Sequence, residues 1–253
     1  MIFLFTDYGL EGPYIGQVES VLHQHAPKAK VINLMADAPR NNPKASAYLL
    51  ASLVHQIPIG SIIFCVVDPG VGSEKDKPTA IKIDGRWFVG PDNGLFDIVA
   101  KHGKEILAWH ITWSPEILSS SFHGRDLYAP VCAMLENKEQ IPGVRVGWTD
   151  KHQWPDDLNE VIYIDHFGNC MTGIRGETFN TEAVFKINEQ EIHNAKTFSN
   201  VSAGQSFWYE NSNGLIEIAI NKGSVSEVLN IGIGAKVNNE SLRPAFSTFL
   251  KID

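Results

Sequence analysis

Short apolar runs alternate with helical patterns through the first half of the chain. Strands are predicted at 2–5, 30–34, 61–67 and 80–89, and helices at 13–24, 43–55, 95–102 and 125–136. The run 61–67 is continuously apolar, which is typical of a strand that is buried on both faces of a parallel sheet. Strands that alternate with helices favour a layered α/β domain whose sheet is mainly parallel.

The pattern changes after about residue 140, where helical periodicity fades. Segment 141–158 is rich in proline, glycine and tryptophan and is interpreted as a linker. Short runs at 160–165, 183–187, 206–209, 215–220 and 235–237 are separated by Asn-, Gly- and Ser-rich turns, which is typical of an antiparallel β sandwich or barrel. We therefore predict an N-terminal α/β domain over 1–140 and a C-terminal β domain over 159–253.

Charge and hydropathy narrow the classes of partner. The chain has 29 acidic and 21 basic residues, a net charge of -8. A surface of that sign repels phosphate backbones, so we expect no nucleic-acid partner. No run reaches the ~18 apolar residues of a membrane helix, and the start of the chain lacks the basic segment and cleavage site of a signal peptide. We therefore expect no membrane partner.

The three cysteines are scattered along the chain and odd in number. Cys65 and Cys132 lie in apolar surroundings, where a small buried thiol is the usual finding. This usage favours a reducing, cytoplasmic setting.

Two acidic loops follow predicted strands. Asp7 lies in segment 6–9 (TDYG) and Asp68 in segment 68–73 (DPGVGS). Ligands gather outside the carboxyl ends of parallel strands, so both carboxylates are well placed for one, and Asp7 suits a diol such as a ribose. A capping or turn role explains either aspartate equally well when it is taken alone.

Two further polar clusters carry a histidine and an aromatic ring. His123 precedes a glycine at the start of a predicted helix, where its ring can act as acid, base or hydrogen-bond donor. In segment 165–169 (DHFGN), Phe167 can stack on a purine and Asn169 can pair with its edge. A turn between two strands would use the same glycine and asparagine. The chain has no H-E-x-x-H, G-x-S-x-G or paired C-x-x-C motif, which argues against zinc proteases, serine hydrolases and zinc ribbons.

Taken in order, these clusters and further motifs resemble the S-adenosylmethionine hydroxide adenosyltransferase family, which is related to the fluorinating and chlorinating adenosyl enzymes. The resemblance runs nearly from end to end. It rests on segments 6–9 (TDYG), 68–72 (DPGVG), 90–94 (GPDNG), 121–126 (SFHGRD), 165–169 (DHFGN), 211–214 (NSNG) and 219–221 (AIN). Several motifs in one order are far more specific than a single glycine loop.

This resemblance implies an N-terminal α/β domain, a C-terminal β domain and a homotrimer. The substrate would lie between the N-terminal domain of one subunit and the C-terminal domain of its neighbour. The implied reaction is hydrolysis of S-adenosylmethionine (SAM) to adenosine and L-methionine, with no metal and no redox cofactor. Water attacks the ribose 5′ carbon and neutral methionine departs from its sulfonium, so the enzyme mainly orients that water and excludes other nucleophiles.

The resemblance also implies roles for individual residues. Asp68 and His123 match two members of a water-activating Asp–Arg–His set, and Lys75 stands at the position of the arginine. Substrate contacts are implied for the ribose at Asp7 and Phe122, for adenine at Phe167 and Asn169, and for the methionine end at Asp165 and Ser212.

Two departures from the family pattern matter. Lys75 keeps a positive charge but lacks the planar fork with which arginine holds a carboxylate bidentately. Gly12 stands where the family has an acid that helps to hold the methionine amine, and Glu11 beside it is the candidate substitute.

Two alternatives therefore stay open beside the hydrolase. The changes at Lys75 and Gly12 favour a SAM- or adenosine-binding protein with weak or no turnover. A metal-dependent hydrolase would use Asp7, Asp68 and His123, because oxygen and imidazole ligands suit several metals. A halogenating role is disfavoured, because the Asp68 and His123 pair of the water-activating set is present.

Overall fold

The computed structural model of the chain describes residues 1–73 and 75–239. They form two compact units, one that extends to Asp156 and one that starts at Asp157. Residues 240–253 of the predicted C-terminal domain lie outside the described range. Within that range, no helix is long and apolar enough to cross a membrane.

The first unit is built on a seven-stranded sheet. Its strands are β1 (Ile2–Thr6), β2 (Val31–Met35), β3 (Ile62–Val66), β4 (Pro78–Ile83), β5 (Arg86–Pro91), β6 (Ile106–Ile111) and β7 (Gly143–Val146). Their order is β2-β1-β3-β5-β4-β6-β7. β1 runs parallel to β2 and β3, and β3 runs parallel to β5. β4 and β7 run against their neighbours, so the sheet is mainly parallel as predicted.

Helices cover this sheet on both faces. They are α1 (Tyr14–His25), α2 (Pro43–Leu53), α3 (Asp97–His102) and α4 (Ala129–Glu136), with a 3₁₀ turn at Val54–Gln56 and a π-helical turn at Gly124–Tyr128. α1 and α4 pack together on a core that includes Ile2, Leu4 and Phe64. Every residue of β1 and β3 is buried, which explains why segment 61–67 lacks the alternation of a half-exposed strand.

Several predicted elements differ in detail. The run 80–89 is a β4–β5 hairpin rather than one strand, because Asp84 and Gly85 turn the chain at φ values of 46° and 81°. β6 and β7 were not predicted, and β7 lies inside the predicted linker 141–158. The predicted helix at 125–136 opens with the π-helical turn rather than with α-helix.

The segment after β7, residues 150–156, is attached to the first unit by side chains. Lys151 pairs with Asp92, and Nδ1 of His152 lies 2.7 Å from Oδ2 of Asp97. Both carboxylates are nearly inaccessible to solvent. Lys101 Nζ donates to the Trp154 carbonyl at 2.8 Å, so the segment is fixed by an ion pair, a side-chain hydrogen bond and a backbone contact.

The second unit consists of two antiparallel sheets on one core. Its strands are β8 (Leu158–Ile164), β9 (Cys170–Arg175), β10 (Phe185–Ile187), β11 (Gln190–Ile192), β12 (Ser206–Glu210), β13 (Leu215–Ile220) and β14 (Asn238–Asn239), with a short helix α5 (Val225–Val228) and 3₁₀ turns at Gly176–Thr178 and Phe198–Asn200. The strand orders are β12-β13-β9-β8 and β11-β10-β14. The core joins both sheets through Phe185, Trp208 and Ile218.

The fold class is thus confirmed as an α/β unit with a mainly parallel sheet, followed by an antiparallel β unit. A strand predicted at 235–237 lies instead at Asn238–Asn239, and β9 and β11 were not predicted. Cys65, Cys132 and Cys170 are all buried free thiols, as predicted for the first two.

Candidate functional site

The predicted acids Asp7 and Asp68 meet at one edge of the first sheet. Asp7 directly follows β1 and Asp68 follows β3, and these strands are neighbours in which Thr6 pairs with Val66. Burial is the main reason that the pKa of each carboxyl lies above its usual range. The negative charges of Asp76 and Asp7 also raise the pKa of Asp68, whereas His123 lowers it. The structure therefore places Asp7, Asp68 and His123 within electrostatic reach of one another.

The Asp68 loop is held by its own backbone. The Gly70 amide donates to Oδ1 of Asp68 at 3.0 Å. Gly72 has a φ of 82°, and a Cβ there would lie 2.4 Å from the Ser120 carbonyl oxygen. The loop therefore passes directly against the segment that leads to His123. One carboxylate oxygen of Asp68, Oδ1, is thus anchored, while Oδ2 accepts no hydrogen bond from the residues that the structure describes.

The GPDNG segment supports Asp68 from the neighbouring strand. Gly90 lies on β5, where a Cβ would come 1.9 Å from the Cys65 carbonyl oxygen, so β3 and β5 require glycine at this position. Asn93 Nδ2 donates at 2.8 Å to the carbonyl of Val67, the residue directly before Asp68. This motif therefore fixes the end of β3 rather than facing the cleft described next.

A cleft of about 340 Å³ opens beside Asp7, and we call it the Asp7 cleft. It is lined by Asp7, Tyr8, Tyr14, Arg40, Asn41, Ser121 and Phe122. The Asn41 amide donates to Oδ2 of Asp7 at 2.9 Å, and the positive charge of Arg40 favours the ionised carboxylate. The cleft therefore offers an oriented acceptor beside a cation. Of its lining residues, only Asp7 and Phe122 were predicted from the sequence as site residues.

Aromatic rings form the wall of the Asp7 cleft. The Phe122 ring packs edge-on against Tyr8 and Tyr14, with centroid separations of 5.6 and 5.4 Å. The Arg125 guanidinium lies 5.2 Å from the centroid of the Phe122 ring. Arg125 in turn pairs with Asp126 through two hydrogen bonds of 2.6 and 3.0 Å. The ring of Phe122 is thus fixed from both sides, by tyrosines and by a paired arginine.

His123 is presented by the π-helical turn. It caps the turn and is half-buried, and Gly124 behind it lies so close to Tyr8 that a Cβ would come 2.0 Å from the phenol oxygen. π-Helical turns inside helices are frequent at functional sites, because the wider turn displaces a side chain from its regular position. The helical periodicity of 125–136 carries no signal for it.

Two predicted residues do not reach these groups. Lys75 is exposed; its amide lies 3.4 Å from Ser73 Oγ, and in the described ranges no carboxylate forms an ion pair with its ammonium. Glu11 is exposed and lies outside the lining of the Asp7 cleft. Gly12 has a φ of 104°, a backbone conformation that strains any residue with a side chain, which gives a physical reason for glycine there.

A second cleft, of about 730 Å³, lies in the β unit, and we call it the Tyr209 cleft. Its lining is Asp165, Phe167, Asn169, Phe198, Tyr209, Glu217, Ile220, Lys222 and Gly223. It brings together three of the predicted binding residues, Asp165, Phe167 and Asn169. Ser212, the fourth in this unit, is exposed at the tip of the β12–β13 hairpin and is not part of the lining.

Within this cleft, Asp165 organises its own loop. Oδ1 accepts from the backbone amides of Phe167 and Asn169 at 2.9 and 2.8 Å, and Oδ2 accepts from Asn169 Nδ2 at 2.9 Å. Gly168 turns the loop at a φ of 81°, where a Cβ would collide with Ser224. The Phe167 ring is left 73% exposed. The loop therefore presents an aromatic face and the carbonyl of the Asn169 side chain.

The arrangement of side chains also bears on the metal-dependent alternative. Across 1–73 and 75–239, no group of three or more His, Cys, Asp or Glu side chains is arranged to hold a metal ion. Asp7, Asp68 and His123, the set that the metal-dependent alternative requires, do not form such a group.

Comparison with known families identifies the chain. The N-terminal domain of the SAM hydroxide adenosyltransferases matches residues 2–145, and the C-terminal domain of the same family matches residues 159–238. The chain belongs to this family.

Relatives of this chain match nearly its full length. A protein of Thermus thermophilus named (R)-S-adenosyl-L-methionine hydrolase is 29% identical over 93% of this chain and 98% of its own. A protein of the same name from Salinispora arenicola is 30% identical over 90% of this chain and 93% of its own. Among solved structures, an uncharacterised conserved protein from Thermotoga maritima superposes with a TM-score of 0.85 at 27% identity, covering 94% of this chain and 98% of its own.

Proposed function

We propose that this chain hydrolyses SAM to adenosine and L-methionine by attack of water at the ribose 5′ carbon. The observation that carries the proposal is that Asp7 and Asp68 follow neighbouring parallel strands, with His123 within electrostatic reach of Asp68. Full-length relatives named (R)-S-adenosyl-L-methionine hydrolase support the same reaction.

In the proposed reaction, Asp68 and His123 orient and deprotonate the water. Oδ1 of Asp68 is anchored by the Gly70 amide, so Oδ2 is the oxygen that accepts from the water. Burial raises the pKa of Asp68, which makes its carboxylate a stronger base than an exposed aspartate. The water oxygen bonds to C5′, the C5′–S bond breaks with its electron pair on sulfur, and methionine leaves as a neutral thioether. The water's proton passes to the Asp68–His123 pair.

The remaining predicted residues bind substrate in this proposal. Asp7 holds the ribose hydroxyls in the Asp7 cleft, with Phe122 as its wall. Phe167 and Asn169 bind adenine, and Asp165 shapes the loop that presents them. The contacts of Ser212 and Glu11 with substrate, and the part of Lys75 in activating the water, stay predictions from the family resemblance.

Assembly and location are proposed on separate grounds. A homotrimer, in which each substrate contacts two subunits, follows from the resemblance, and it accounts for substrate-binding motifs that are divided between two units. Three buried free thiols support a cytoplasmic setting. No cofactor and no nucleic-acid or membrane partner is proposed.

The decisive experiment follows purified protein with SAM in water enriched in oxygen-18. We expect adenosine and L-methionine in equal amounts, with the label in the 5′ hydroxyl of adenosine, because the attacking oxygen comes from water. Protein-free SAM under the same conditions gives the spontaneous background. Adenosine formation no faster than that background would exclude hydrolysis as the function.

A second candidate function is a SAM- or adenosine-binding protein with weak turnover. The exposed Lys75, which pairs with no carboxylate in the described ranges, is the observation that favours it. Lys75→Arg distinguishes the hydrolase from the binding protein. If the lack of a guanidinium limits a hydrolase, Lys75→Arg should release adenosine several-fold faster, because a guanidinium can hold a carboxylate bidentately. Lys75→Gln is the matched control that removes the charge. A pure binding protein binds adenosine by calorimetry and releases none from SAM in any of the three forms.

A further inference from the structure

Glu217 is a buried carboxylate in an otherwise apolar strand. All six residues of β13 (Leu-Ile-Glu-Ile-Ala-Ile) are buried, and Glu217 is only 2% exposed. Burial of a charged group is unfavourable unless hydrogen-bond donors satisfy it, and an apolar residue of similar size would fill the strand without that cost. The carboxylate at this position therefore requires an explanation beyond packing.

Each oxygen of this carboxylate faces one donor. The hydroxyl of Tyr209, the direct cross-strand partner on β12, donates to Oε1, and Asn211 Nδ2 donates to Oε2 at 2.8 Å. The orientation of the Asn211 amide is fixed, because its Oδ1 accepts from the amides of Asn213 and Leu215 at 2.9 and 3.1 Å. Asn211 must therefore present its NH₂ group to Glu217.

This arrangement determines what Tyr209 offers to the Tyr209 cleft. A phenol has one proton, and once Glu217 accepts it only the lone pairs of the oxygen remain for a ligand. On the same lining, one N–H of the Asn169 side chain donates to Asp165, which leaves its carbonyl oxygen and its second N–H. The Tyr209 hydroxyl, next to Glu217, therefore offers the cleft only an acceptor.

We propose that Glu217 is a positioning residue that orients the Tyr209 hydroxyl as an acceptor, so that the Tyr209 cleft selects a nitrogen donor of its ligand. The inference rests on the proposed function, since SAM carries two such donors, the amino group of adenine and the ammonium group of the methionine end. Glu217 acts through Tyr209 and does not itself need to touch the ligand.

The test compares Glu217→Gln, Tyr209→Phe and the double variant with the unmodified protein. In Glu217→Gln, the Asn211 NH₂ group takes the single remaining amide oxygen, so the glutamine NH₂ group faces Tyr209 and turns the phenol proton towards the cleft. Calorimetry with adenosine, inosine and L-methionine identifies the donor, because inosine lacks the amino group of adenosine and only methionine has the ammonium. Glu160→Gln, a carboxylate of the same unit that pairs with Lys236 outside the cleft lining, is the matched control.

We expect Glu217→Gln to weaken either adenosine or L-methionine binding by about tenfold. Inosine binding should not weaken, because the 6-oxo oxygen of inosine can accept from the turned phenol proton. Tyr209→Phe should weaken the same ligand, and the double variant should bind it within about twofold of Tyr209→Phe, because Glu217 acts through the hydroxyl. For SAM hydrolysis, KM should rise more than kcat falls. Glu160→Gln should bind all three ligands as the unmodified protein does.

Losses that multiply in the double variant, or unchanged affinity for adenosine and L-methionine in a folded Glu217→Gln, would overturn the inference. If Glu217→Gln does not fold, Tyr209→Phe alone decides it: equal loss for adenosine and inosine together with unchanged L-methionine binding contradicts the donor role. Failure of the proposed function is a separate result, namely an unmodified protein that neither binds adenosine nor releases it from SAM.

Discussion

At the residue scale, opposing influences act on the Asp68 carboxyl. Burial and the neighbouring charges of Asp76 and Asp7 raise its pKa, whereas the Gly70 amide and His123 favour the ionised form. A general base has to be ionised, so adenosine release should increase as pH rises through the pKa of Asp68. That increase should lie above the pH at which an exposed aspartate titrates, about 3.9.

The substitution Asp68→Asn tests the role of Asp68 as the general base. Asp68→Asn keeps the oxygen that accepts from Gly70 and nearly the same volume, but it loses the charge that accepts a proton from water. We expect adenosine release to fall by about 100-fold or more, with adenosine affinity within a few-fold of the original. Initial rates and calorimetry measure the two quantities. A variant that retains full activity would remove Asp68 from the mechanism.

At the element scale, apolar patterns predict helices and strands correctly where burial is uniform along the element, and they fail where burial is partial. The run around β3 was identified because every residue is apolar, and α1 because its apolar residues share one face. β7 was missed because its four residues are half-buried or exposed, so no apolar run marks it. The β4–β5 hairpin was read as one strand although Asp84 and Gly85 form a favourable turn pair.

Some residues of the candidate site could be predicted from the sequence and others could not. Asp7, Asp68 and His123 could be predicted because each lies at the end of a recognisable element within a family motif. Tyr14, Arg40 and Glu217 could not, because their places depend on contacts across the fold rather than on local spacing. The role of Glu217 in particular could not be predicted. The alternating Ile residues of its strand indicate packing, and they give no sign of a buried carboxylate that accepts hydrogen bonds.

The π-helical turn at Gly124–Tyr128 gives a prediction at this scale. In Gly124→Ala the new methyl group would lie 2.0 Å from the Tyr8 phenol oxygen, so Tyr8 and its neighbour Phe122 must move. We expect the free energy of unfolding to fall by about 1–3 kcal/mol. Gly16→Ala in α1 is the control: no atom lies within 4 Å of the added Cβ, and alanine should stabilise the helix by about 0.5–1 kcal/mol. Urea denaturation measures both, and equal effects would contradict the steric argument.

At the scale of the whole molecule, stability should depend on pH through Asp97. Burial raises the pKa of this carboxyl to about 6, against the opposing effect of His152, while the charges of Asp150 and Asp92 raise it further. The neutral Asp97 carboxyl contributes its full stabilisation below pH ~4, and this contribution is lost as pH rises to about 6. Above that pH, the ionisation of Asp97 no longer changes the free energy of unfolding.

The measurement is the free energy of unfolding of the native protein and of Asp97→Asn between pH 4 and 7. The native protein should lose up to about 3 kcal/mol relative to the variant across that interval, because asparagine does not ionise. Asp156→Asn is a control in which the pH dependence has the opposite sign. Lys101 lowers the pKa of Asp156, and this exposed ion pair therefore stabilises the fold only above the pKa that Asp156 has in the unfolded chain. A difference that is flat with pH for Asp97→Asn would contradict the assignment.

The side-chain contacts of segment 150–156 also determine where this chain can be divided. A truncated first unit that ends at residue 140 would lose Lys151 and His152, and with them the partners of two carboxylates that are nearly inaccessible to solvent. One that ends at Asp156 would keep both pairs and the β7 edge of the sheet. Insertions and domain exchanges between relatives of this family should therefore be made directly after Asp156, at the boundary between the two compact units.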